Sequence, residues 1–431
     1  MGNDELVESQ ILNLSGEVQA AVIGAARDTT RVSGLTHEFY KYPARFSPIF
    51  ARAVIQAFTK PGDSVLDPHV GGGTTLVEAR ASGREAVGID ISTLAEFVSS
   101  VKCTVFSERE LGVLEQWSRR IASAIDIHKP SRSITIHATL GYYKHLDHPS
   151  RWRLRKAIEQ SLASAIALKK PRLVAFGRCV ILRASQWALD GRKKHATVLE
   201  FRKTLEETGC SMVQGARELR AAVKDKGRFP ITILRRNACG IETDEKLFEK
   251  RPPRLVVTSP PYPGVHVLYH RWQVDGRKEA PLPFMIANKL DGAGSSYYTM
   301  GDRKYPGLAT YFANIQATMR SVAALSDHKT MIVQMLAFTE VDWQLSRFLE
   351  TMNEVGLTEC FLSSLKNEGD GRLWRNVPGR RWYSDQRGST PGSKEVVLFH
   401  RKLSTTQSPP RDRQHVRCPR GLPGPASSTT T

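Results

Sequence analysis

The stretch that most constrains this chain runs from Ser64 to Asp90. A short apolar strand, Ser64-Val65-Leu66, opens into Asp67-Pro68-His69-Val70-Gly71-Gly72-Gly73-Thr74-Thr75. Pro61-Gly62-Asp63 makes the turn before it, and Leu76, Val77 and Ala79 continue it as a helix. A second strand, Ala86-Val87-Gly88-Ile89, ends at Asp90. Strand, glycine-rich loop, helix and strand in succession predict a βαβ unit, and therefore an α/β fold with a parallel, doubly wound sheet. Glycines at the strand-to-helix turn let the backbone come close to a ligand at the helix N-terminus. The acidic strand end, Asp90, follows the loop by about twenty residues, the spacing at which a carboxylate meets the ribose hydroxyls of an adenosine cofactor. On this evidence NAD and S-adenosyl-L-methionine fit equally.

Strand patterns return at Ile231-Thr232-Ile233-Leu234, Leu255-Val256-Val257, Thr330-Met331-Ile332-Val333 and Glu395-Val396-Val397-Leu398-Phe399. The sheet is thus expected to draw on residues 36–128 and 229–402, with 1–35 as an N-terminal extension. Its first part opens on His37, Phe39, Tyr40, Tyr42, Pro43 and Phe46, which lead into an apolar stripe at Ile49, Phe50, Val54 and Ile55 that reads as a helix. Ser107 and Glu110 form a capping box ahead of a further helix bearing Leu111, Leu114, Ile121 and Ile125.

Between these two parts the composition changes. Residues 129–228 hold 22 Lys and Arg against 8 Asp and Glu, a surplus of 14 within a net charge of +19. Ile158, Leu162 and Ile166 repeat every four residues and 198–223 is helix-like, so this segment is expected to be an inserted, mainly helical basic module. A charge run alone reads as a solvated face. Here it interrupts an α/β domain and carries Trp152, Trp187, Tyr142 and Tyr143 among the bases, which favours contact with DNA. The pI near 9.8 itself points to a polyanionic partner, nucleic acid before an anionic membrane surface. From 403 to 431 the chain is Ser, Thr, Pro and Arg without periodicity, and a disordered tail is expected.

No stretch offers the roughly 20 apolar residues of a membrane span, and the N-terminus lacks an apolar leader core, so a soluble cytoplasmic protein is expected. The six cysteines stand far apart without a C-x-x-C pair, which suggests free thiols, no disulfide framework and no metal site.

Thr258-Ser259-Pro260-Pro261-Tyr262 resolves the cofactor ambiguity. It follows an apolar strand and so belongs at the carboxyl edge of the sheet, beside the glycine-rich loop. Two consecutive prolines fix φ and remove two N–H donors, leaving a rigid turn of carbonyl acceptors, the Ser259 hydroxyl and the Tyr262 ring. Such a turn suits a flat ring bearing an amino group. The lone pair of an exocyclic amine is delocalised into its ring and is a poor nucleophile unless acceptors localise it. Hydrogen bonds to Ser259 and the Pro260 carbonyl would do so, and stacking on Tyr262 would help offset the few kcal/mol of taking a base out of its duplex.

With these motifs the chain resembles the amino-methylating DNA methyltransferases, whose cofactor motif reads D-P-F-x-G-x-G-T-T and whose catalytic motif reads [DNS]-P-P-[YFW]. Recognisable motifs cover roughly 36–102 and 229–400. The resemblance implies a Rossmann-like methyltransferase sheet with S-adenosyl-L-methionine as cofactor. It assigns Asp67, Pro68, Gly71, Gly73, Thr74 and Thr75 to that cofactor, Asp90 to its ribose, and Asn237, at the family's third acidic position, to its adenine amine. Pro43 and Phe46, in Tyr42-Pro43-Ala44-Arg45-Phe46, fall beside its methionine moiety. Ser259, Pro260, Pro261 and Tyr262 are assigned to the target base.

Within that family T-S-P-P-Y looks most like the enzymes that methylate N4 of cytosine in duplex DNA, with N6 of adenine the alternative. RNA base methylation and a non-catalytic DNA-binding protein follow. The resemblance also implies a bacterial or archaeal restriction-modification or phage-defence setting, with a cognate restriction endonuclease as partner. His69 departs from the family's Phe and is read as a packing residue. Three further candidates are His266 to Trp272 after the catalytic turn, the Gly- and Tyr-rich stretch 292–305, and Arg380-Arg381-Trp382-Tyr383. The first and third read equally well as ordinary packing, and 292–305 reads first as an ordinary surface loop.

Overall fold

The structure, a computed structural model, describes residues 10–42, 47–129, 136–146, 149–192, 194–244, 247, 251–263, 271–275, 278–292, 300–301, 306–376 and 394–402. Its strands are β1 (Ser64–Asp67), β2 (Glu85–Asp90), β3 (Ile231–Arg235), β4 (Leu255–Thr258), β5 (Trp272–Asp275), β6 (Lys278–Ala280), β7 (Met331–Leu336), β8 (Thr358–Cys360), β9 (Leu373–Asn376) and β10 (Lys394–Arg401). Its helices are α1 (Gly16–Arg27), α2 (Pro48–Phe58), α3 (Thr74–Ala81), α4 (Thr93–Cys103), α5 (Glu108–Arg120), α6 (Ile136–Thr139), α7 (Trp152–Ile166), α8 (Pro171–Leu189), α9 (Val198–Val223), α10 (Leu282–Ala287), α11 (Ala309–Leu325) and α12 (Val341–Glu354).

The main sheet runs in the order β3-β2-β1-β4-β7-β10-β8, with β9 also paired to β10. The first five strands of that order are mutually parallel, and β10 is antiparallel to β7, β8 and β9. The doubly wound sheet expected from the βαβ unit is therefore present, closed at one side by antiparallel strands. Helices cover both of its faces, which is why β1, β4 and β7 read as continuous apolar runs. Alternation divides their side chains: Val65, Val257, Val333 and Val397 meet α2 and α3 on one face. Leu66, Val256, Ile332 and Leu398 meet α11 and α12 on the other.

A third core is helical. Leu94 and Val98 of α4, and Leu111 and Leu114 of α5, share it with Ile158, Phe176, Val180, Phe201 and Leu205 of the basic segment. The predicted capping box of α5 is formed, and Thr197 and Glu200 form another at the start of α9. At the N-terminal end, Ile11 bridges Phe361, and the Gln19 side chain bonds to Ser363 and Ser364, seating α1 beside the antiparallel strands.

Cys103, Cys179, Cys210 and Cys360 are free thiols, whereas Cys239 is disulfide-bonded, which the cysteine spacing did not reveal. Among the described residues there is no cluster of metal-ligating side chains, and no helix is long and apolar enough to cross a membrane. The expected tail at 403–431 lies outside the described residues.

Helix α9 closes on the loop that precedes the first aromatic segment so tightly that a Cβ on Gly215 would lie 2.1 Å from the Leu35 carbonyl oxygen. Gly→Ala inside a helix ordinarily stabilises by about 1 kcal/mol. Here the obstacle is backbone, so the sign reverses. Gly215→Ala is expected to lower unfolding free energy by roughly 1–3 kcal/mol in urea denaturation, and a stabilised variant would show that α9 can slide away.

Candidate active site

Order in the sheet reverses between β1 and β4: β2 and β3 lie beyond β1 on one side, β7 beyond β4 on the other. In doubly wound sheets the crevice at the carboxyl ends of such a strand pair is where ligands bind. Val65 pairs with Leu255 and Leu66 with Val256, so the chain leaves both strands side by side, as Asp67-Pro68-His69 and as Ser259-Pro260-Pro261. His69 Nδ1 and Thr258 Oγ1 lie 2.9 Å apart and join the two exits directly.

The loop after β1 is built to be approached by backbone. Val70 N–H donates to the Ile89 carbonyl, and Gly71 N–H donates to Asp90 Oδ2 at 2.9 Å, fastening the loop to the end of β2. Gly73 is the N-cap of α3 with φ +76°, in the left-handed region. A Cβ on Gly72 would fall 2.8 Å from Tyr42 Cβ, and one on Gly73 2.7 Å from Ser99 Cβ. Tyr42 therefore seats its segment against this loop, while Pro43 and Phe46 lie outside the described residues. Thr74, Thr75 and Pro68 are buried at the start of the helix and beneath the loop.

Two carboxyls face this crevice. Burial pushes Asp67 up to about 7, with the Asp90 charge adding to it and hydrogen bonds, including the His69 N–H, opposing it. Burial likewise raises Asp90 to about 6, against the backbone N–H groups of Ser92, Gly71 and Ile91. Asp90 Oδ2 accepts the Gly71 N–H and Oδ1 the Ser92 N–H, and a carboxylate's two oxygens have acceptor capacity beyond these bonds. That pair of acceptors fits the vicinal hydroxyls of a ribose. A side-chain-free loop at the positive end of α3 fits an adenosine cofactor equally well. Asn237 follows β3 on the same edge, and its Oδ1 already accepts the Cys239 N–H at 2.9 Å.

The second wall is the 259–262 turn. Ser259 Oγ donates to the Tyr262 hydroxyl at 3.2 Å, which donates to Glu395 Oε1 at 2.7 Å. Glu395, at the start of β10, also pairs with Arg375 Nε of β9 at 3.2 Å, and all three anchoring side chains are buried. Sequence reasoning missed Glu395 and Arg375, because nothing local marks a carboxylate so distant in the chain as the partner of Tyr262. His69 is pushed down to about 4 by burial and so is a neutral imidazole at physiological pH. Its Nε2 is buried and takes no hydrogen bond.

Two more buried polar groups brace the cofactor side. Lys102 of α4 donates its Nζ to the Gly72 carbonyl at 2.7 Å. Glu78 of α3 sits 2.7 Å from His37 Nε2 and 2.8 Å from Arg52 Nε, tying the aromatic entry segment and α2 to the helix that follows the loop. A lysine within the apolar run of α4 was a legible signal that went unread.

Of the lesser candidates, Trp272 is core: its indole donates to the Tyr40 hydroxyl at 2.9 Å. Arg271 pairs with Asp291. His266, Tyr269, His270, Arg380, Arg381, Trp382 and Tyr383 lie outside the described residues, as does 293–299. Replacing Glu395 by Gln removes the counter-charge of a buried guanidinium. Glu395→Gln is expected to cost roughly 3 kcal/mol of stability in urea denaturation, and a variant as stable as the parent would show that Arg375 finds another partner.

Fold and crevice together are those of a Rossmann-like, doubly wound α/β domain with a ligand crevice where the strand order reverses. Residues 17–98 match the DNA methylase family N6_N4_Mtase. Type II methyltransferase M.MvaI of Kocuria varians is 36% identical over 118 residues, 27% of this chain and 24% of that one. DNA adenine methyltransferase YhdJ of Escherichia coli is 32% identical over 109 residues, 23% of this chain and 37% of that one. Type II methyltransferase M2.DpnII of Streptococcus pneumoniae is 46% identical over 50 residues, 12% of this chain and 19% of that one. Over these segments the chain is similar to amino-methylating DNA methyltransferases, and it spans only 24% and 37% of the length of the first two proteins.

Proposed function

We propose that this chain transfers a methyl group from S-adenosyl-L-methionine to the exocyclic N4 of cytosine in double-stranded DNA, after the base is flipped out of the helix. The observation that carries this reading is the placement of the Ser259-to-Tyr262 turn directly across β1 and β4 from the glycine-rich loop. Bound in the crevice, S-adenosyl-L-methionine would supply an electrophilic methyl group. Asp67, Pro68, Gly71, Gly73, Thr74 and Thr75 would line its place and Asp90 would accept its ribose hydroxyls. Asn237 would face its adenine with its remaining lone pair, and Pro43 and Phe46 would flank its methionine end.

On the catalytic side, Ser259 Oγ and the Pro260 carbonyl would accept the two amine hydrogens and so localise the nitrogen lone pair. Pro261 keeps that geometry rigid. Glu395 fixes the Tyr262 hydroxyl, which leaves the ring in one orientation for the base to lie against. Neutral His69 holds Thr258 in place and carries no charge that would repel a cationic cofactor.

The division into a catalytic part at 36–128 and 229–402 and a DNA-reading helical part at 129–228 belongs to the same proposal. Supporting it, Trp152 is 40% exposed at the start of α7, with Arg153 and Lys156 at 5.4 and 5.9 Å from its ring centroid. A stacked cation and aromatic of this kind suits a nucleic-acid backbone and an unstacked base. Tyr142, also in this segment, accepts the Asp291 N–H with its hydroxyl, and Asp291 pairs with Arg271. The names of the Type II relatives support a restriction-modification role with a cognate endonuclease. A second reading, N6 of adenine, is favoured by the likeness to a DNA adenine methyltransferase.

Nucleoside mass spectrometry of DNA from cells expressing the chain separates the readings. N4-methylcytosine is expected, and it should vanish in a Ser259→Ala, Tyr262→Ala double variant. N6-methyladenine would correct the base, and no methylated base would reject the proposal. Cofactor affinity should also depend on pH. Ionised Asp90 can accept both ribose hydroxyls, whereas protonation turns one of its oxygens into a donor. Ionised Asp67 beside it favours a cationic or hydroxyl-bearing ligand, so affinity for S-adenosylhomocysteine should rise through pH 6–7 and level off above it. Calorimetric titration finding a flat profile from pH 5.5 to 8 would show that these carboxyls do not meet the ligand.

A further inference from the structure

Six cations gather around one cavity at the amino edge of the sheet, opposite the crevice. A cleft of about 850 Å³ opens between the end of α3, the start of α5, the end of α9 and the chain entering β3. Arg80, Arg172, Arg217, Arg220, Lys224 and Arg228 line it against two carboxylates, Glu108 and Glu110. Those carboxylates are already engaged: Glu108 with Arg217 and Arg220, Glu110 with Arg172. Arg217 is held in place by Glu115 at 2.6 Å as well. Arg80, Lys224 and Arg228 have no carboxylate partner among the described residues, and Arg80 Nε is buried without a hydrogen bond. An adjoining cavity of about 380 Å³ shares Arg80 and Arg172.

Six cations against two anions facing a concave space focus a positive field there and concentrate anions in it. The same cleft also has an apolar wall, with Val105, Val223 and the ring of Phe229. It lies by the amino ends of β2 and β3, a strand length of roughly 15–20 Å from the catalytic turn. A duplex seated on that turn would meet the opposite edge.

We infer that this cleft is a second ligand site, for a nucleoside polyphosphate. The phosphates would lie among Arg80, Lys224, Arg228 and the paired arginines, and the base against Phe229. A guanidinium fork matches phosphate oxygens in pairs, so the three arginines already oriented by glutamates present their remaining N–H groups without further ordering.

The test is calorimetric titration of the full chain with uridine triphosphate, which lacks the adenosine of the proposed cofactor, and separately with inorganic tripolyphosphate. A Lys224→Glu, Arg228→Glu variant is compared, both positions being exposed. Uridine triphosphate is expected to bind the parent chain, and to bind the variant at least roughly tenfold more weakly, with S-adenosylhomocysteine affinity and thermal midpoint unchanged. Weaker binding of tripolyphosphate than of uridine triphosphate would support the place given to Phe229. No binding of either to the parent, or equal binding by parent and variant, would overturn the site. So would a variant defect confined to a short DNA duplex, which would make the cleft part of a nucleic-acid surface instead.

Discussion

Everything at the crevice depends on the parallel pairing of β1 with β4. That ladder joins chain segments separated by the whole basic segment, and its register sets which residues emerge together. Because Leu66 is opposite Val256, Asp67 and His69 leave β1 where Thr258 and Ser259 leave β4. A slip of β4 by one residue would exchange the faces of its side chains and send Val257 into the opposite core. Apolar burial on both faces therefore protects the geometry of the site.

Onto this frame the chain adds polar clasps centred on buried groups, Glu395, Glu78 and Lys102, which are thus sensitive to any missing partner. Ser259, Tyr262, Glu395 and Arg375 form one, running from the 259–262 turn into the antiparallel strands. His37, Glu78 and Arg52 form another, and Lys102 with the Gly72 carbonyl a third, both beside the glycine-rich loop and its helix. Buried pairs of this kind contribute less to net stability than to fixing one arrangement, since desolvation offsets much of their attraction. Their shared property is that each ties a loop to a helix or strand from elsewhere in the sequence.

The basic segment is helical as the sequence implied, yet its apolar faces are spent on a core common to α4 and α5. Its charges separate accordingly. Arg153 and Lys156 lie about the Trp152 ring at the start of α7, and those at the end of α9 line the cleft at the amino edge of the sheet. A net count of positive charge cannot distinguish two such surfaces.

The sequence by itself determined the βαβ unit, the positions of the parallel strands, the glycine-rich loop and the Pro-Pro turn. These are local matters: apolar period, turn residues and the φ freedom of Gly73 are legible in short windows. It also placed Asp67, Asp90 and the 259–262 turn on one edge, because strand ends in a parallel sheet share an edge. Only the tertiary structure decided that Glu395 clasps Tyr262, that Trp272 is core rather than free, and that the chain's cations gather at two separate places. Those contacts join residues far apart in sequence, and which distant side chains meet is set by sheet order, register and helix packing rather than by any local pattern.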